Sequence, residues 1–317
     1  MSINFNNITF DNIDVHENKK VFKQIRRLYT KIIKNKKVIK EFNKYKKKGE
    51  WMMTLGERMK EYEMQSRTRL LRRVPVIIRL DGKAFHTWTR GLDRPFDRNL
   101  MHIMQKTMLA LCEQIQGCVL GYTQSDEITL VLVDYQKIES MAWFDNQVQK
   151  MCSVAASIAT SAFEKALHEE IESLTVDALW YNHNYMLDKE KECWNKQELL
   201  IDKQFKANFD ARAFNIPIHE VINNLIWRQQ DATRNSILSV AQSLYSHKEL
   251  QGIGTKELQN KMLTEKNVNW NDYKIDEKRG IAAIKDNEGK WFIDELTPIF
   301  TEDRDYINRL VYPESDD

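Results

Sequence analysis

From Val74 onward the spacing of apolar residues switches repeatedly between a two-residue and a three-to-four-residue step, which predicts alternating strands and helices. Val74-Pro75-Val76-Ile77-Ile78-Arg79-Leu80 is a β-rich run that stops at Asp81-Gly82, so a strand followed by a turn is expected. Pro75 has no amide proton to give a ladder and belongs at the strand's start or edge. Asp97 stands where an N-cap belongs, and Leu100, Ile103, Met104, Leu111 and Ile115 make one apolar stripe that ends at Gly117. A hairpin follows: a short strand near Leu120–Tyr122, a turn at Gln124-Ser125-Asp126, and a strand from Ile128 to Val133. A long helix is expected from about Glu139 to Glu169, where Ala155, Ala156, Ala159 and Ala162 permit close packing on a sheet.

Beyond it, residues 174–208 are polar and helix-prone, as in an insertion or lid. Phe209–Ile216 fits another strand, and Pro217 suits the first turn of a helix reaching about Ser246. Ile281–Ile284 and Trp291–Ile293, joined through Asp286 to Gly289, predict a late hairpin. No internal repeat is visible, and the acidic end, Glu314–Asp317, is expected to fray.

The first fifty residues differ in kind. Residues 19–48 hold fourteen Lys or Arg against one acid, Glu41, so this segment carries +13 in a chain whose net charge is +2, leaving −11 elsewhere. Val21, Ile25, Leu28, Ile32, Ile39 and Phe42 give it helical periodicity, apart from one skipped turn. A basic amphipathic arm on an acidic body fits a polyanion partner or a solvated helical face, and charge alone does not choose. Three divisions result: the arm over 1–50, a catalytic region over 51–173, and a helical insertion with C-terminal region over 174–317.

With 42% hydrophobic and 30% charged residues the composition is that of a soluble globular protein. No apolar run is long enough to span a bilayer, and the start does not have the pattern of a signal peptide. Cys112, Cys118, Cys152 and Cys193 are scattered, with no C-x-x-C pair, which points to reduced thiols in a cytoplasmic protein.

Candidate chemistry centres on two acids. Asp81 at a strand end and Asp126 in a hairpin turn can meet at one end of a sheet, where their mutual repulsion would be relieved by a divalent cation. Mg²⁺ takes oxygen ligands and needs only one or two carboxylates besides phosphates and water. Gly82 allows close backbone approach and offers a carbonyl as a third ligand. Two such ions can stabilise both the attacking and the leaving oxygen of a phosphoryl transfer. Acids at strand ends and turns are commonplace, so the pair alone also fits a solvated surface.

The motifs Arg79-Leu-Asp-Gly-Lys-Ala-Phe-His-Thr-Trp-Thr-Arg-Gly-Leu-Asp-Arg-Pro-Phe-Asp97, Gly121-Tyr-Thr-Gln-Ser-Asp-Glu-Ile-Thr-Leu-Val-Leu132, Phe209-Asp-Ala-Arg-Ala-Phe-Asn-Ile-Pro217 and Trp227-Arg-Gln-Gln-Asp-Ala-Thr-Arg-Asn-Ser236 resemble the tRNA(His) guanylyltransferase family. The likeness is greatest to its guanylyltransferase-like branch of 3′-to-5′ polymerases. It runs from about Thr54 to Phe292 and excludes the arm. It implies an α+β fold: a polymerase-palm-like antiparallel sheet backed by helices, with a helical C-terminal region.

On that resemblance Asp81, the Gly82 carbonyl and Asp126 would bind two Mg²⁺ ions. Asp81, Gly82, Lys83, Ala84, Phe85 and His86, with Ser125 and Asp126, would cradle the nucleotide. Glu127 would support the site by a hydrogen bond or by positioning Asp126. Arg94, before a proline, and Lys150, on the long helix, fall where the family meets a triphosphate. Lys150 also fits a solvated helix face, the Phe85 ring suits wall or core better than base stacking, and His86 suits a nucleotide contact or a structural hydrogen bond. Asp210 and Arg212 fit an ion pair as readily as a substrate contact.

The implied reaction has two stages: the tRNA 5′-phosphate is adenylylated by ATP, then the 3′-hydroxyl of an incoming triphosphate, GTP or another, displaces AMP. The implied assembly is a homotetramer. One stretch departs from the family. Eukaryotic members carry His-Ile-Asn-x-x-Tyr-Asn after Trp-Arg-Gln-x-Asp, whereas this chain has Thr233-Arg-Asn-Ser-Ile-Leu-Ser239. Templated repair of truncated tRNA 5′ ends is therefore expected over dedicated addition of one G. A palm-domain cyclase and a non-catalytic tRNA-binding protein are the competing readings, and both fit the motifs less well.

Overall fold

The computed structural model describes residues 54–184 and 186–312 and divides the chain into two compact units, Met1–Ser66 and Arg67–Asp317. In the first, the described part is helix α1, Leu55–Met64, opened by a capping box in which Thr54 and Glu57 bond each other's backbone amides. The basic arm and the acidic C-terminal end lie outside the described residues.

The second unit is built on a six-stranded antiparallel sheet in the order β4-β1-β3-β2-β5-β6. Its chain order begins with β1, Val76–Gly82, short helix α2, Phe85–Trp88, and α3, Arg98–Gln114. The hairpin β2, Cys118–Gln124, and β3, Glu127–Leu132, comes next, followed by α4, Val148–His183, α5, Leu187–Lys203, and β4, Phe209–Asn215. Helices α6, Val221–Leu244, α7, His247–Leu250, α8, Thr255–Lys266, and α9, Ile275–Arg279, lead to the hairpin β5, Ile281–Lys285, and β6, Trp291–Asp294, and α10, Asp305–Val311, closes the unit. This is the α+β sheet-and-helix architecture expected from the resemblance.

Strand alternation sorts the β1 side chains between two faces. Val76, Ile78 and Leu80 face α3 and α4 in the larger core, with Ile128 and Leu130 of β3 and Met104, Met108, Leu111, Ala155, Ala159 and Phe163 of the helices. Gly121 lets α3 approach β2 closely, because a Cβ there would collide with Cys112 and Met108. Of the four alanines expected to permit close packing, Ala155 and Ala159 are fully buried, and Ala156 and Ala162 are half-buried. Ile77 points to the opposite face, into a second core with Leu120, Tyr122, Val131, Phe300 and the first turns of α6 (Val221, Ile222, Leu225 and Ile226). The later turns of α6 leave that core and pack Ile237, Val240 and Ala241 on Leu258 and Met262 of α8.

The Asp97 cap accepts a hydrogen bond from the Leu100 amide at 3.0 Å. The long helix differs from expectation at both ends. It begins at Val148 rather than near Glu139, because Phe144, Asp145 and Asn146 are left-handed, with φ of 49°, 53° and 55°. Long-range partners hold that turn: Asp145 pairs with Arg69 and Arg72, and Asn146 Nδ2 donates to the Leu71 carbonyl at 2.9 Å. At its other end α4 runs past Ser173 to His183, because Leu174 shares the larger core with Leu200 of α5. Pro217 leads into a 3₁₀ turn, Ile218–Glu220, rather than directly into α6.

Candidate active site

The face of the sheet that carries Ile77 turns polar toward the Gly82 end. Asp81 pairs with Glu127 on β3 and with Asp210 on β4, so three carboxylates stand side by side across three strands. Asp126, in the β2–β3 turn, is brought to the same place because the Gly82 amide donates to its carbonyl at 3.1 Å. Ser125 takes the left-handed conformation that the tight turn requires, φ 52°, and its Oγ donates to Asp126 Oδ1 at 3.1 Å. Thr123 Oγ1 donates to the Glu127 carbonyl at 2.9 Å and ties the two arms of the hairpin.

The acids here have unequal surroundings. Glu127 is held by Arg79, by Arg228 Nη1 at 2.8 Å, and by Gln124 Nε2 at 2.9 Å. Arg228 in turn lies 3.6 Å from the Trp227 ring centroid and reaches Asp231 at 3.5 Å. Asp81 and Asp126, by contrast, have no ion-pair partner among the described residues. Burial, then the Glu127 and Asp210 carboxylates, push the Asp81 carboxyl above its ordinary range. Burial likewise raises Asp126, with Asp81 and Glu127 adding to it, against the Ser125 hydrogen bond. The Arg79 and Arg212 charges offset only part of this at Asp81, and two partly buried acids with no cation in direct contact favour a positive ion beside them. Their oxygens and the Gly82 carbonyl suit Mg²⁺, which completes its shell with water and phosphate. Among the described residues no group of three or more His, Cys, Asp or Glu is gathered closely enough to hold a metal ion by itself.

The segment after β1 turns sharply. A Cβ at Gly82 would run into the Phe85 ring, Lys83 N donates to the Asn208 carbonyl at 2.8 Å, and Ala84 is left-handed with φ 55°. Lys83, Ala84 and His86 are exposed beside the carboxylates in sequence, and none is drawn into the core. The Phe85 ring is buried among Trp88, Phe163 and Phe209, so it is a core side chain, and only its backbone borders the turn.

Arg94 is exposed and lines a cleft of about 250 Å³ with Gln124, Ser125, Asn235, Ser236 and Ser239. It therefore shares a cavity with the Asp126 turn. Lys150 does not. The start of α4 is fastened to the chain ahead of β1, through Val148 N to the Thr68 carbonyl at 3.0 Å, whereas Asp81 stands at the far end of that strand. Five residues of strand, about 17 Å, separate the two ends. Lys150 instead lies 5.8 Å from the Phe144 ring centroid. Asp210 and Arg212 are both half-exposed and 3.7 Å apart, a loose pair beside the carboxylate row.

Arg79 and Arg228 were not among the expected site residues. Arg79 could have been found, since it lies two residues before Asp81 and must share its face. Arg228 was quoted within the Trp227–Ser236 motif, but only the fold places it 101 positions away in sequence against Glu127.

Comparison with known proteins identifies the family. Residues 56–217 match the family model of Thg1, tRNAHis guanylyltransferase. A bacterial Thg1-like protein solved in complex with ATP is similar at 41% identity and a TM-score of 0.70, over 82% of this chain and all of that one. Another, in complex with GTP, is similar at 36% identity and a TM-score of 0.63, with the same coverage. Among curated proteins, a probable tRNA(His) guanylyltransferase of Dictyostelium discoideum is 23% identical over 68% of this chain and 77% of its own length. The chain belongs to the tRNA(His) guanylyltransferase family and is a nucleotidyltransferase.

Proposed function

We propose that this enzyme extends the 5′ end of tRNA in the 3′-to-5′ direction and repairs truncated ends by copying the opposite strand. The observation that carries the reading is the pair Asp81 and Asp126, brought together at the sheet end without ion-pair partners among the described residues, in a chain of this family. Those two carboxylates and the Gly82 carbonyl would hold two Mg²⁺ ions, which when bound neutralise charge on the phosphates in transfer. The backbone turn from Gly82 to His86 and the Ser125 hydroxyl border the triphosphate, and Arg94 meets it from the neighbouring cleft. The bacterial relatives bound to ATP and GTP support those two nucleotides as substrates.

In the first stage an oxygen of the tRNA 5′-phosphate bonds to the α-phosphorus of ATP, and pyrophosphate leaves. In the second, the 3′-oxygen of the incoming nucleoside triphosphate bonds to the activated 5′-phosphorus, AMP leaves, and the hydroxyl proton passes to solvent. Glu127, committed to Arg79 and Arg228, positions the turn that carries Asp126 rather than taking part in either step.

Template copying is supported by the cleft. Asn235, Ser236 and Ser239 line it beside Ser125; Asn235 keeps the first Asn of His-Ile-Asn-x-x-Tyr-Asn, whereas Ser239 stands where its last Asn would be. With only the first Asn of that motif kept, Watson–Crick pairing with the acceptor strand is the selector at hand, because a mismatch leaves polar groups unpaired at about 1–3 kcal/mol each. A 5′-truncated tRNA should regain whichever nucleotide complements its acceptor strand, and changing the opposing base should change the nucleotide added. The experiment compares kcat/KM for intact tRNA(His) and a panel of truncated tRNAs. Addition of G alone, with intact tRNA(His) preferred whatever base stands opposite, would replace this reading with dedicated guanylyltransferase activity.

A further inference from the structure

Beside the carboxylate end of the sheet, on the side of α4, lies a second hollow that the reaction above does not use. It is open, about 500 Å³, and lined by Ala156, Ser157, Thr160, Ser161 and Glu164 of α4 with Phe205 and Phe209. Phe205, in the loop between α5 and β4, is 84% exposed. Its backbone is left-handed, φ 59°, a conformation that costs a bulky residue energy and needs a reason. Glu164 holds it there, since Oε2 accepts the Phe205 amide at 2.9 Å. The other oxygen, Glu164 Oε1, is buried and has no hydrogen-bond partner. The Glu164 side chain, a row of hydroxyls and an exposed aromatic ring thus border one space.

These groups together select a kind of ligand. A carboxylate repels phosphate but accepts from an exocyclic amine, and hydroxyls bond either a donor or an acceptor on a base edge. An exposed aromatic ring offers a stacking surface to an unpaired base. The location selects further. Phe205 is four residues ahead of Phe209, the strand partner of Gly82, so it stands within about 20 Å of Gly82. A tRNA whose 5′ end lies at Asp81 and Asp126 carries its unpaired 3′ strand close beside that end. We propose that Phe205 and the hollow beneath it receive an unpaired, amine-bearing base of that 3′ strand, stacked on the ring with its amine toward the Ser157, Thr160 and Ser161 hydroxyls. The inference rests on tRNA being the substrate and adds a contact for the strand opposite the growing end.

The test uses the full-length protein without nucleotide, titrated into a tRNA carrying 2-aminopurine at an unpaired position of the 3′ strand. Stacking quenches this fluorophore, so the wild type should lower its emission on binding. Phe205→Ala should lose the quench and weaken binding about fivefold or more. Phe205→Leu should behave like Phe205→Ala, whereas Phe205→Trp should restore the quench. On the same tRNA trimmed of its unpaired strand, all four proteins should bind alike. An unchanged quench in Phe205→Ala, rescue by leucine, or equal weakening on the trimmed RNA would each overturn the proposal. So would a lower mass by light scattering with no effect on RNA, which would mean that the ring docks on a second copy of the chain. Templated incorporation into truncated tRNA by the wild type is measured separately, so it can stand or fall without this contact.

Discussion

The two faces of the sheet are made from alternate residues of the same strands, yet only one of them stays apolar to its end. Toward α3 and α4, Val76, Ile78 and Leu80 of β1 are all buried, as are Ile128 and Leu130 of β3. Toward α6, Ile77 and Val131 are buried, but the next positions along those strands are Arg79, Asp81, Thr129 and Glu127. The difference follows from the covering helices. Helix α4 lies on its face through Ala155, Ala159, Phe163 and Ala166, whereas α6 covers the sheet for only its first turns before it turns its apolar residues to α8. Charged groups can persist where no apolar helix lies over them, so one face supplies stability and the other is left for chemistry.

The sharpest way to break this division is to neutralise Asp81 and Asp126, the acids without an ion-pair partner among the described residues. Asp81→Asn and Asp126→Asn should each lower the rate of nucleotide incorporation about a thousand-fold, a loss of about 4 kcal/mol from the transition state. Neither should lower the melting temperature, since each removes a repelling charge rather than a packed group. In addition, Mg²⁺ should raise the melting temperature of the wild type but not that of either variant, because an ion that binds only the folded state stabilises it by mass action. Near-normal incorporation by either variant would remove the proposed metal site.

Leu80 is the reciprocal case, adjacent to Asp81 in sequence and fully buried on the other face. Leu80→Ala should cost about 3 kcal/mol of unfolding free energy, read by denaturant titration. The fraction that remains folded should keep its kcat. A fall in kcat comparable to that of Asp81→Asn would mean that the faces are not separable in function.

How much of this was legible beforehand depended on the range of the interactions involved. The β1 strand, the Asp97 cap, the β2–β3 turn and the late hairpin are set by neighbours within a few positions, and β-branched runs, a capping carboxylate and turn residues announce them. Asp81 and Asp126 each end a local element, but acids in such places are commonplace, and it was the resemblance of the surrounding motifs that singled them out. The start of α4 was not legible, since the left-handed turn at Phe144–Asn146 is held by Arg69, Arg72 and Leu71, more than seventy residues earlier. The same holds for Lys150, whose distance from Asp81 depends on where α4 docks, and for Phe205, whose conformation depends on Glu164 forty-one residues away. The state of Glu127 was hidden for this reason as well: its charge partners come from two other elements.

Arg228 stands on the border between the two regions and gives the smallest but most discriminating effect. It is buried, it binds Glu127 and Asp231, and it belongs to the part of α6 where apolar cover gives way to charge. Arg228→Met keeps an unbranched apolar stem while removing the guanidinium and its charge. Glu127 would retain Arg79 and Gln124, so the carboxylate is not left bare, and the cost should be about 2 kcal/mol, below the 3–5 kcal/mol usual for an unpaired buried charge. Activity should fall about tenfold, because a looser Glu127 lets the adjoining Asp126 turn wander from its bond to Gly82. The loss should appear in kcat, and more Mg²⁺ should be needed for half-maximal rate, since the affected group is the proposed metal ligand rather than a substrate contact. Arg228→Lys, which keeps a charge within reach of Glu127, should recover part of both. If Arg228→Met loses stability with kcat and Mg²⁺ dependence unchanged, then Arg228 belongs to the structural side of the division and the polar end of the face stops short of α6.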